Sequence, residues 1–260
     1  MKIRVLGCHG SDMLLSPDTS ATHCCGFLIN ETVLIDAGTI ASVLTLQQQL
    51  SVSHICLSHL HFDHIKALPT FADNVSLDLR ASVTLMSIQP VISGLQQHIF
   101  NNTVYPNFFS LPDPTRPVFR CDIIAPRRSF KASGLEITAI PVNHAVPAVG
   151  FLIRQGDTSI LYSGDTCSTE ELWKIAAEEQ TLKAAFIETS FPDEFRELAL
   201  ISKHLTPSLL IDELGKLDRP NLPLYIYHMK PGHKALIERQ LLALKLPHLT
   251  ILREGQEVIV

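Results

Sequence analysis

The chain has 260 residues, of which 46% are hydrophobic and 18% are charged, and its formal net charge is −5. This length and apolar content allow one sizeable core, which excludes an intrinsically disordered protein and predicts a single domain over residues 1–260. The chain also lacks the basic surplus that is typical of nucleic-acid-binding proteins, and no apolar run has the length of a membrane span.

Strand and helix patterns follow one another along the chain. Short apolar runs bounded by turn residues predict strands at 2–6, 25–30, 32–36, 54–58, 83–87, 135–141, 150–154, 159–162, 184–188, 224–227 and 257–260. Helical periodicity predicts helices at 40–50, 169–180, 194–203, 207–217 and 234–244. We expect Thr169 and Thr206 to cap the second and fourth of these helices, with Pro207 at the first helical position.

A faint internal repeat relates the two halves of the chain. Phe-Leu-Ile at 27–29 leads to Leu-Ile-Asp-Ala-Gly-Thr at 34–39, and Phe-Leu-Ile at 151–153 leads to Ile-Leu-Tyr-Ser-Gly-Asp-Thr at 160–166. Both segments have the pattern of a strand, a turn, a second strand and then an Asp near a Gly. Two similar β-rich halves predict two packed sheets with helices outside, which is an αβ/βα sandwich of the α/β class.

The densest group of potential metal ligands is His-x-His-x-Asp-His at residues 59–64. Alternate side chains of an extended segment share a face, so we expect His59, His61 and Asp63 to point the same way. A turn at Asp63 would then bring His64 in beside them. Imidazole and carboxylate groups suit zinc, iron and manganese. Four such groups are too many for one open tetrahedral catalytic ion, so the spacing predicts two metal ions.

Three further candidate ligands follow strand-like runs at the points where loops should begin, namely His144, Asp165 and His228. Such positions often carry chemistry, because a rigid scaffold holds the loop in place. A lone His or Asp at a strand end is usually a turn residue, but the shared placement of these three indicates a common site.

Together these residues resemble the metal motif of the metallo-β-lactamase superfamily, and the resemblance covers nearly the whole chain. It implies a four-layer αβ/βα sandwich of two packed mixed β-sheets with outer helices. It also implies a site for two divalent metal ions, zinc foremost and manganese or iron as alternatives, with room for a bridging water. The seven implied ligands are His59, His61 and His144 for one ion, Asp63, His64 and His228 for the other, and Asp165 for both.

A second set of motifs narrows the branch of the superfamily. Glu188 in Glu-Thr-Ser-Phe and His204 in Ser-Lys-His-Leu-Thr-Pro resemble a pair that lies beside the substrate phosphate in tRNase Z and in class II cyclic-nucleotide phosphodiesterases. The runs at 97–108 and 227–231 resemble the phosphodiesterases in particular. The resemblance implies that His204, oriented by Glu188, is a general acid or an electrostatic stabiliser, and that Asp63 and Asp165 are catalytic as well. The alternative is that His204 only caps the helix that begins near Pro207.

The reaction implied by this resemblance is the hydrolysis of 3′,5′-cyclic nucleotides, cyclic AMP foremost, to 5′-monophosphates by a metal-bridging hydroxide. Alternatives are a tRNase Z-like nuclease, a thioester or lactone hydrolase of the same superfamily, and a non-enzymatic metal- or nucleotide-binding module. Residues 65–70 depart from the Gly-containing run that is usual in the family, which leaves the substrate open. We expect a small-molecule substrate and no stable nucleic-acid or membrane partner, with a homodimer left open.

Residues 89–120 form a long connection that is rich in proline and aromatic residues. Such a segment is either a lid over a binding site or a hydrophobic insertion packed on the core or at an oligomer contact. Phe100, Tyr105 and Phe108 would stack on a purine in the first case and pack in the core in the second. The segment carries only Arg116 and Arg120 besides His98 as basic residues, which is too few for a tRNA-gripping arm.

Several other residues are candidates for supporting roles. We expect Asp36 to accept a proton from a ligand imidazole, His9 to line the pocket and Lys230 to meet a phosphate. The six cysteines show no disulfide-like spacing, which predicts reduced thiols. Together with the lack of a signal-peptide pattern in the first residues, this predicts a cytoplasmic protein, with export left open.

Overall fold

The computed structural model describes residues 1–14, 21–78 and 81–260. The strands of this part of the chain are β1 (Lys2–Gly7), β2 (Gly26–Ile29), β3 (Val33–Ile35), β4 (His54–Cys56), β5 (Val83–Ser87), β6 (Pro112–Asp113), β7 (Arg116–Pro117), β8 (Phe119–Ile123), β9 (Ser129–Ala132), β10 (Leu135–Pro141), β11 (Val149–Gln155), β12 (Thr158–Tyr162), β13 (Leu182–Glu188), β14 (Leu224–Tyr227), β15 (Leu249–Ile251) and β16 (Glu257–Ile259). Its α-helices are α1 (Leu46–Ser51), α2 (Phe62–Ile65), α3 (Leu68–Val75), α4 (Gln89–Gly94), α5 (Glu171–Glu178), α6 (Arg196–Ser202), α7 (Pro207–Leu214) and α8 (Lys234–Ala243).

Fourteen of these strands form two seven-stranded mixed sheets with the same internal plan, and β6 and β7 form a separate hairpin. The first sheet has the order β16-β1-β2-β3-β4-β5-β8, and the second has the order β9-β10-β11-β12-β13-β14-β15. Read in these directions, the first three pairings of each sheet are antiparallel and the last three are parallel. The two repeated sequence segments occupy equivalent positions, because β2 and β11 are third and β3 and β12 are fourth. The predicted repeat therefore corresponds to two equivalent half-sandwiches.

The two sheets pack against each other through buried aromatic rings. The Phe27 ring on β2 lies 5.5 Å from Tyr162, 6.0 Å from Phe186 and 5.3 Å from Tyr227, measured between ring centroids, and these three rings belong to the second sheet. Edge-on aromatic pairs at such distances add to the stability that burial provides.

Side chains of the second sheet alternate between two cores, as the period of two in a strand requires. On β11, Phe151 and Ile153 face the core between the sheets, whereas Leu152 faces an outer core that includes Trp173 of α5 and Leu209 of α7. Helices therefore cover the outer face of this sheet, and α3 packs its buried face on the first sheet. The predicted four-layer αβ/βα sandwich is confirmed.

Of the two predicted helix caps, the structure contains one. Thr206 caps α7 as predicted, because its side chain accepts a hydrogen bond from the amide of Leu209. The predicted cap at Thr169 is wrong: the buried Glu213 carboxylate accepts the amide of Thr169 at 3.0 Å, and α5 begins only at Glu171. In the described residues, no helix combines the length and the apolar character needed to cross a bilayer.

Residues 89–120 pack on the first sheet. They form α4, a π-helical turn at Leu95–Ile99 and the β6–β7 hairpin, and then lead into β8. Phe100 and Phe108 are only 1% and 6% exposed, and the Phe100 ring lies 5.4 Å from that of Phe119. Tyr105 packs against Phe100, and its hydroxyl donates to Asp73. This is the arrangement that the packed-insertion alternative predicts.

The six cysteines are all unpaired thiols. Burial raises the pKa of Cys8 and of Cys24 to about 12 and that of Cys121 to about 11. These thiols therefore stay protonated at neutral pH, which makes them poor nucleophiles and poor metal ligands.

Candidate metal centre

The candidate site lies at the carboxyl ends of the parallel strands of both sheets. Asp36 follows β3, the motif at 59–64 follows β4, Asp165 follows β12, Glu188 ends β13 and His228 follows β14. Parallel strands place their carboxyl ends at one edge of a sheet, which is where open α/β proteins collect their binding residues. Side chains that are up to 192 residues apart thus meet at one edge of the sandwich.

The motif at 59–64 is only partly extended. His61 is extended, with φ −63° and ψ 145°, but α2 begins at the next residue and places Asp63 and His64 in its first turn. The expectation that Asp63 continues the alternation of His59 and His61 is therefore wrong. The expectation of a turn that brings His64 beside them agrees with the structure. This break in the alternation separates the motif into two ligand pairs.

The first pair joins His144 and Asp165. Potential ligand atoms of His59, His61, His144 and Asp165 all lie within 4.8 Å of one another. The Nε2 atom of His144 is 3.0 Å from Nδ1 of His61, and Nε2 of His59 is 3.6 Å from Oδ2 of Asp165. Three imidazoles and one carboxylate form a set that suits a first-row divalent cation.

The second pair joins His228. Potential ligand atoms of Asp63, His64 and His228 also lie within 4.8 Å of one another. The Nε2 atoms of His64 and His228 are 3.1 Å apart, and that of His228 is 3.3 Å from Oδ2 of Asp63. Oδ2 of Asp165 is 3.2 Å from Nε2 of both histidines, so this carboxylate lies between the two groups.

Several buried atoms of the cluster have no hydrogen bond, which tests whether cations fit there. Nε2 of His59 and both carboxylate oxygens of Asp165 are buried without a hydrogen-bond partner among the described residues. Unpaired buried polar atoms are costly unless a bound ion satisfies them. Burial also holds the pKa of His59 well below its usual range, which leaves the neutral imidazole that metals bind. The cluster is therefore suited to divalent metal ions, while the ligand assignments stay predictions.

Asp36 supports the cluster from behind, as we expected from the sequence. It is fully buried, and its Oδ2 lies 2.8 Å from Nδ1 of His64. A carboxylate can only accept, so Nδ1 carries the proton and Nε2 is left to bind a metal. Asp36 also accepts from the amide of Ser58 at 2.7 Å, from its hydroxyl at 2.8 Å and from the hydroxyl of Tyr162 at 2.7 Å. Its left-handed backbone, with φ 56°, is held in place by these contacts.

Two further supporting contacts were missed in the sequence. The Oγ atom of Ser190 lies 2.7 Å from Nδ1 of His228, and the main-chain oxygen of Lys203 accepts from Nδ1 of His144 at 3.1 Å. Ser190 belongs to the Glu-Thr-Ser-Phe motif and could have been chosen for that reason. A main-chain acceptor such as that of Lys203 leaves no sign in the sequence, because every residue carries one.

Glu188 and His204 form a buried pair beside the cluster. Nδ1 of His204 is 2.8 Å from Oε1 of Glu188, and the His204 ring lies 5.1 Å from that of His144 and 5.3 Å from that of His228. Burial lowers the pKa of His204, but the Glu188 carboxylate more than offsets this, and the result is a raised pKa. Since Thr206 caps α7, the alternative that His204 merely caps this helix is wrong.

Of the remaining candidates, Lys230 lies beside the cluster and His9 does not. Lys230 reaches the cluster, with Nζ 3.8 Å from Oδ2 of Asp63 and 3.0 Å from the main-chain oxygen of Gly10. His9 does not line the pocket as expected, because it is buried and its Nδ1 lies 3.1 Å from Oε1 of Glu254.

The expectation that a purine stacks on Phe100 and Phe108 is wrong, whereas the same expectation for the half-buried Tyr105 stays a prediction. Phe100 and Phe108 are buried in the core of the first sheet, and Tyr105 packs on Phe100. Neither buried phenylalanine can therefore form a base-binding surface.

Comparison with known proteins supports the same family. The model of the "Beta-lactamase superfamily domain" matches residues 31–234, which is more than half of the chain. Yeast PDE1 in its unliganded form superimposes with a TM-score of 0.80 at 18% identity, and the match covers 100% of this chain and 99% of that protein. The metallo-β-lactamase fold protein YhfI from Bacillus subtilis superimposes with a TM-score of 0.78 at 15% identity, and the match covers 99% of each chain. The short form of human tRNase Z superimposes with a TM-score of 0.69 at 16% identity, and the match covers 100% of this chain and 99% of that protein.

The curated relatives are similar over shorter stretches. Ribonuclease Z of Metallosphaera sedula is 23% identical over 133 residues, which are 50% of this chain and 41% of that protein. Ribonuclease Z of Methanococcus maripaludis is 25% identical over 113 residues, which are 44% of this chain and 35% of that protein. The matched regions thus span less than half the length of these relatives.

Proposed function

We propose that this chain, which belongs to the metallo-β-lactamase superfamily, is a metal-dependent phosphodiesterase that hydrolyses 3′,5′-cyclic nucleotides, cyclic AMP foremost, to 5′-monophosphates. The observation that carries the proposal is the buried His204–Glu188 pair, because it places an imidazole with a raised pKa next to the cluster of candidate ligands. Such a group accelerates the hydrolysis of a phosphodiester, since the leaving alkoxide is strongly basic.

The chemistry divides between the metal ions and the protein. Bound divalent cations would supply a water that is deprotonated near neutral pH and a positive field for the phosphoryl oxygens. Asp165 is buried and lies between the two ligand groups; although burial alone would raise its pKa, His228 and His64 hold that pKa well below its usual range. Asp63 has a side chain that is 22% exposed; although burial alone would raise its pKa, His228 and His64 hold that pKa well below its usual range, so the carboxylate stays ionised beside the cluster.

His204 acts on the other side of the phosphorus. Its Nδ1 proton is held by Glu188, which also accepts the amides of Thr166 at 3.2 Å and Leu205 at 3.3 Å. Nε2 of the protonated ring is then the atom that can donate to the ribose 3′ oxygen as its bond to phosphorus breaks. The Oγ atom of Ser190 donates to Oε2 of Glu188 at 2.9 Å, which fixes the carboxylate further.

A second candidate is a tRNase Z-like nuclease, which the similarity to ribonuclease Z favours. A nuclease holds many phosphates and therefore needs a basic surface, and its binding weakens steeply with salt. The net charge of −5 and the presence of only two arginines in residues 89–120 favour the small substrate instead. Thioester hydrolysis releases a thiolate, which is a much weaker base than an alkoxide and has less need of an acid at His204.

The experiment is an assay of the protein reconstituted separately with zinc, manganese and iron. The substrates are cyclic AMP, cyclic GMP, bis(p-nitrophenyl) phosphate, a precursor tRNA and a thioester, each at two salt concentrations. We expect turnover of cyclic AMP that depends on metal and changes little with salt. His204→Asn should lower kcat by about a hundredfold or more, while the matched variant of the exposed His248, His248→Asn, should not. Cleavage of the tRNA with no turnover of cyclic nucleotides would favour the second candidate.

A further inference from the structure

A groove with a volume of about 490 Å³ opens beside the metal cluster. Its walls come from the β10–β11 connection, from Ile88 after β5 and from Lys203 after α6. His144 belongs both to the groove and to the cluster of candidate metal ligands. It lines the groove, and its Nε2 lies 3.0 Å from Nδ1 of His61. If the phosphate of a ligand lies at the cluster, the part of the ligand that is attached to this phosphate can therefore enter the groove.

The lining of the groove is mostly apolar. Ile88, Val142, Val146 and Val149 contribute aliphatic side chains, and no carboxylate of the described residues lines it. Val146 is half-buried, so a ring that packs on it would remove apolar surface from water on both sides of the contact. A groove of this kind favours a compact, uncharged ring and offers little to a polyanion.

Lys203 supplies a cation at the edge of the groove. Lys203 is half-buried and belongs to the lining of the groove. Its backbone is left-handed, with φ 57°, and its main-chain oxygen is tied to Nδ1 of His144. The lining thus includes one lysine, whose backbone is held next to His204 by the contact with His144.

We propose that this groove is the subsite for the nucleobase, with Val146 as a residue that sets specificity and Lys203 as the counter-charge for the phosphate. The proposal rests on the proposed function and names the part of the substrate that the metal cluster does not bind. It selects small nucleotides with one compact ring over polynucleotides, because the groove has one cation and aliphatic walls.

The test compares the binding of 5′-AMP and of inorganic phosphate to the metal-reconstituted protein by calorimetry. Inorganic phosphate reports the cluster alone, whereas 5′-AMP adds the ring. We expect 5′-AMP to bind about tenfold more tightly or better. Val146→Trp should fill the groove and abolish this preference without changing phosphate affinity or metal content. Val104→Trp, at a position that is 61% exposed, is the matched control and should change neither ligand.

A second variant keeps the proposal testable if Val146→Trp fails to fold. Lys203→Gln should weaken both ligands by about two- to fivefold and leave their ratio unchanged. Equal affinities of the wild-type protein for 5′-AMP and phosphate would overturn the subsite, as would an unchanged ratio in a folded Val146→Trp protein. A preference for 5′-AMP that is lost in Val146→Trp, without turnover of any cyclic nucleotide, would uphold the subsite and refute only the proposed reaction.

Discussion

Replacing Asp36 by Asn should weaken metal binding and should also destabilise the metal-free protein, by similar free energies. The side chains have the same shape, and Asn tolerates the left-handed backbone of this position, where φ is 56°. The amide oxygen can keep the hydrogen bond from the amide of Ser58. The hydroxyls of Ser58 and Tyr162 can rotate to accept from the new NH₂ group. The Nδ1–H of His64 cannot rotate in this way, and it then faces a donor at 2.8 Å.

The losses of metal affinity and of stability both follow from this clash between two hydrogen-bond donors. His64 can relieve it by moving its proton to Nε2, the atom that points at His228 and Asp165, and the candidate ligand nitrogen is then lost. Loss of such an outer partner lowers metal affinity by about 10- to 100-fold, or about 1.4–2.7 kcal/mol. The metal-free protein loses one satisfied buried hydrogen bond, which costs about 1–3 kcal/mol.

The assay has two parts, because binding and stability must be separated. Competition with a chromophoric chelator measures the affinity for each zinc ion, and denaturant unfolding of the metal-free protein measures the free energy of unfolding. Asp157→Asn, at an exposed position in the turn between β11 and β12, is the matched control and should change neither. Asp36→Asn protein that binds both ions with wild-type affinity would refute the argument about the His64 proton.

Three further variants test separate parts of the structure. Asp165→Ala should abolish turnover and reduce the bound metal measured by elemental analysis, and unchanged metal content would contradict its placement between the two ligand groups. Because the pKa of His204 is raised, the protonated form is lost as pH rises through that value, so kcat should fall on the alkaline side; His204→Asn should remove this limb of the pH profile. Although burial opposes it, hydrogen bonds from Thr181 lower the pKa of Glu179, so its stabilising effect is present above the ordinary carboxyl pKa and is lost as pH falls through the lowered value. Glu179→Gln should therefore cost about 1 kcal/mol in the free energy of unfolding at pH 7, and this difference from wild type should vanish in acid.

The sequence determined the type of site and the plan of the fold. Imidazole and carboxylate groups at 59–64 have few structural uses at such density, so their chemistry could be recognised without coordinates. The repeated strand–turn–strand pattern was sufficient to predict two similar halves, since local alternation and turn residues are properties of the chain itself. The strongest helix signal, Thr206 followed by Pro207, was confirmed because capping acts within one turn.

Other features depend on contacts between distant parts of the chain. The carboxylate of Glu213 in α7 accepts a hydrogen bond from the amide of Thr169, and α5 begins after this residue. No sequence pattern near Thr169 reveals this partner. The same aromatic residue types in 89–120 can either stack on a base or pack in a core. Only the burial of these rings against the first sheet shows that they pack in the core.

The division of the ligands into two groups was likewise decided by tertiary structure. An extended motif would have put His59, His61 and Asp63 on one face, but α2 begins within it and turns Asp63 and His64 towards His228. The strands of both sheets, packed through Phe27, bring Asp165 between the groups. A sequence specifies which ligands exist, whereas the distances between them arise from the packing of sheets whose strands are far apart along the chain.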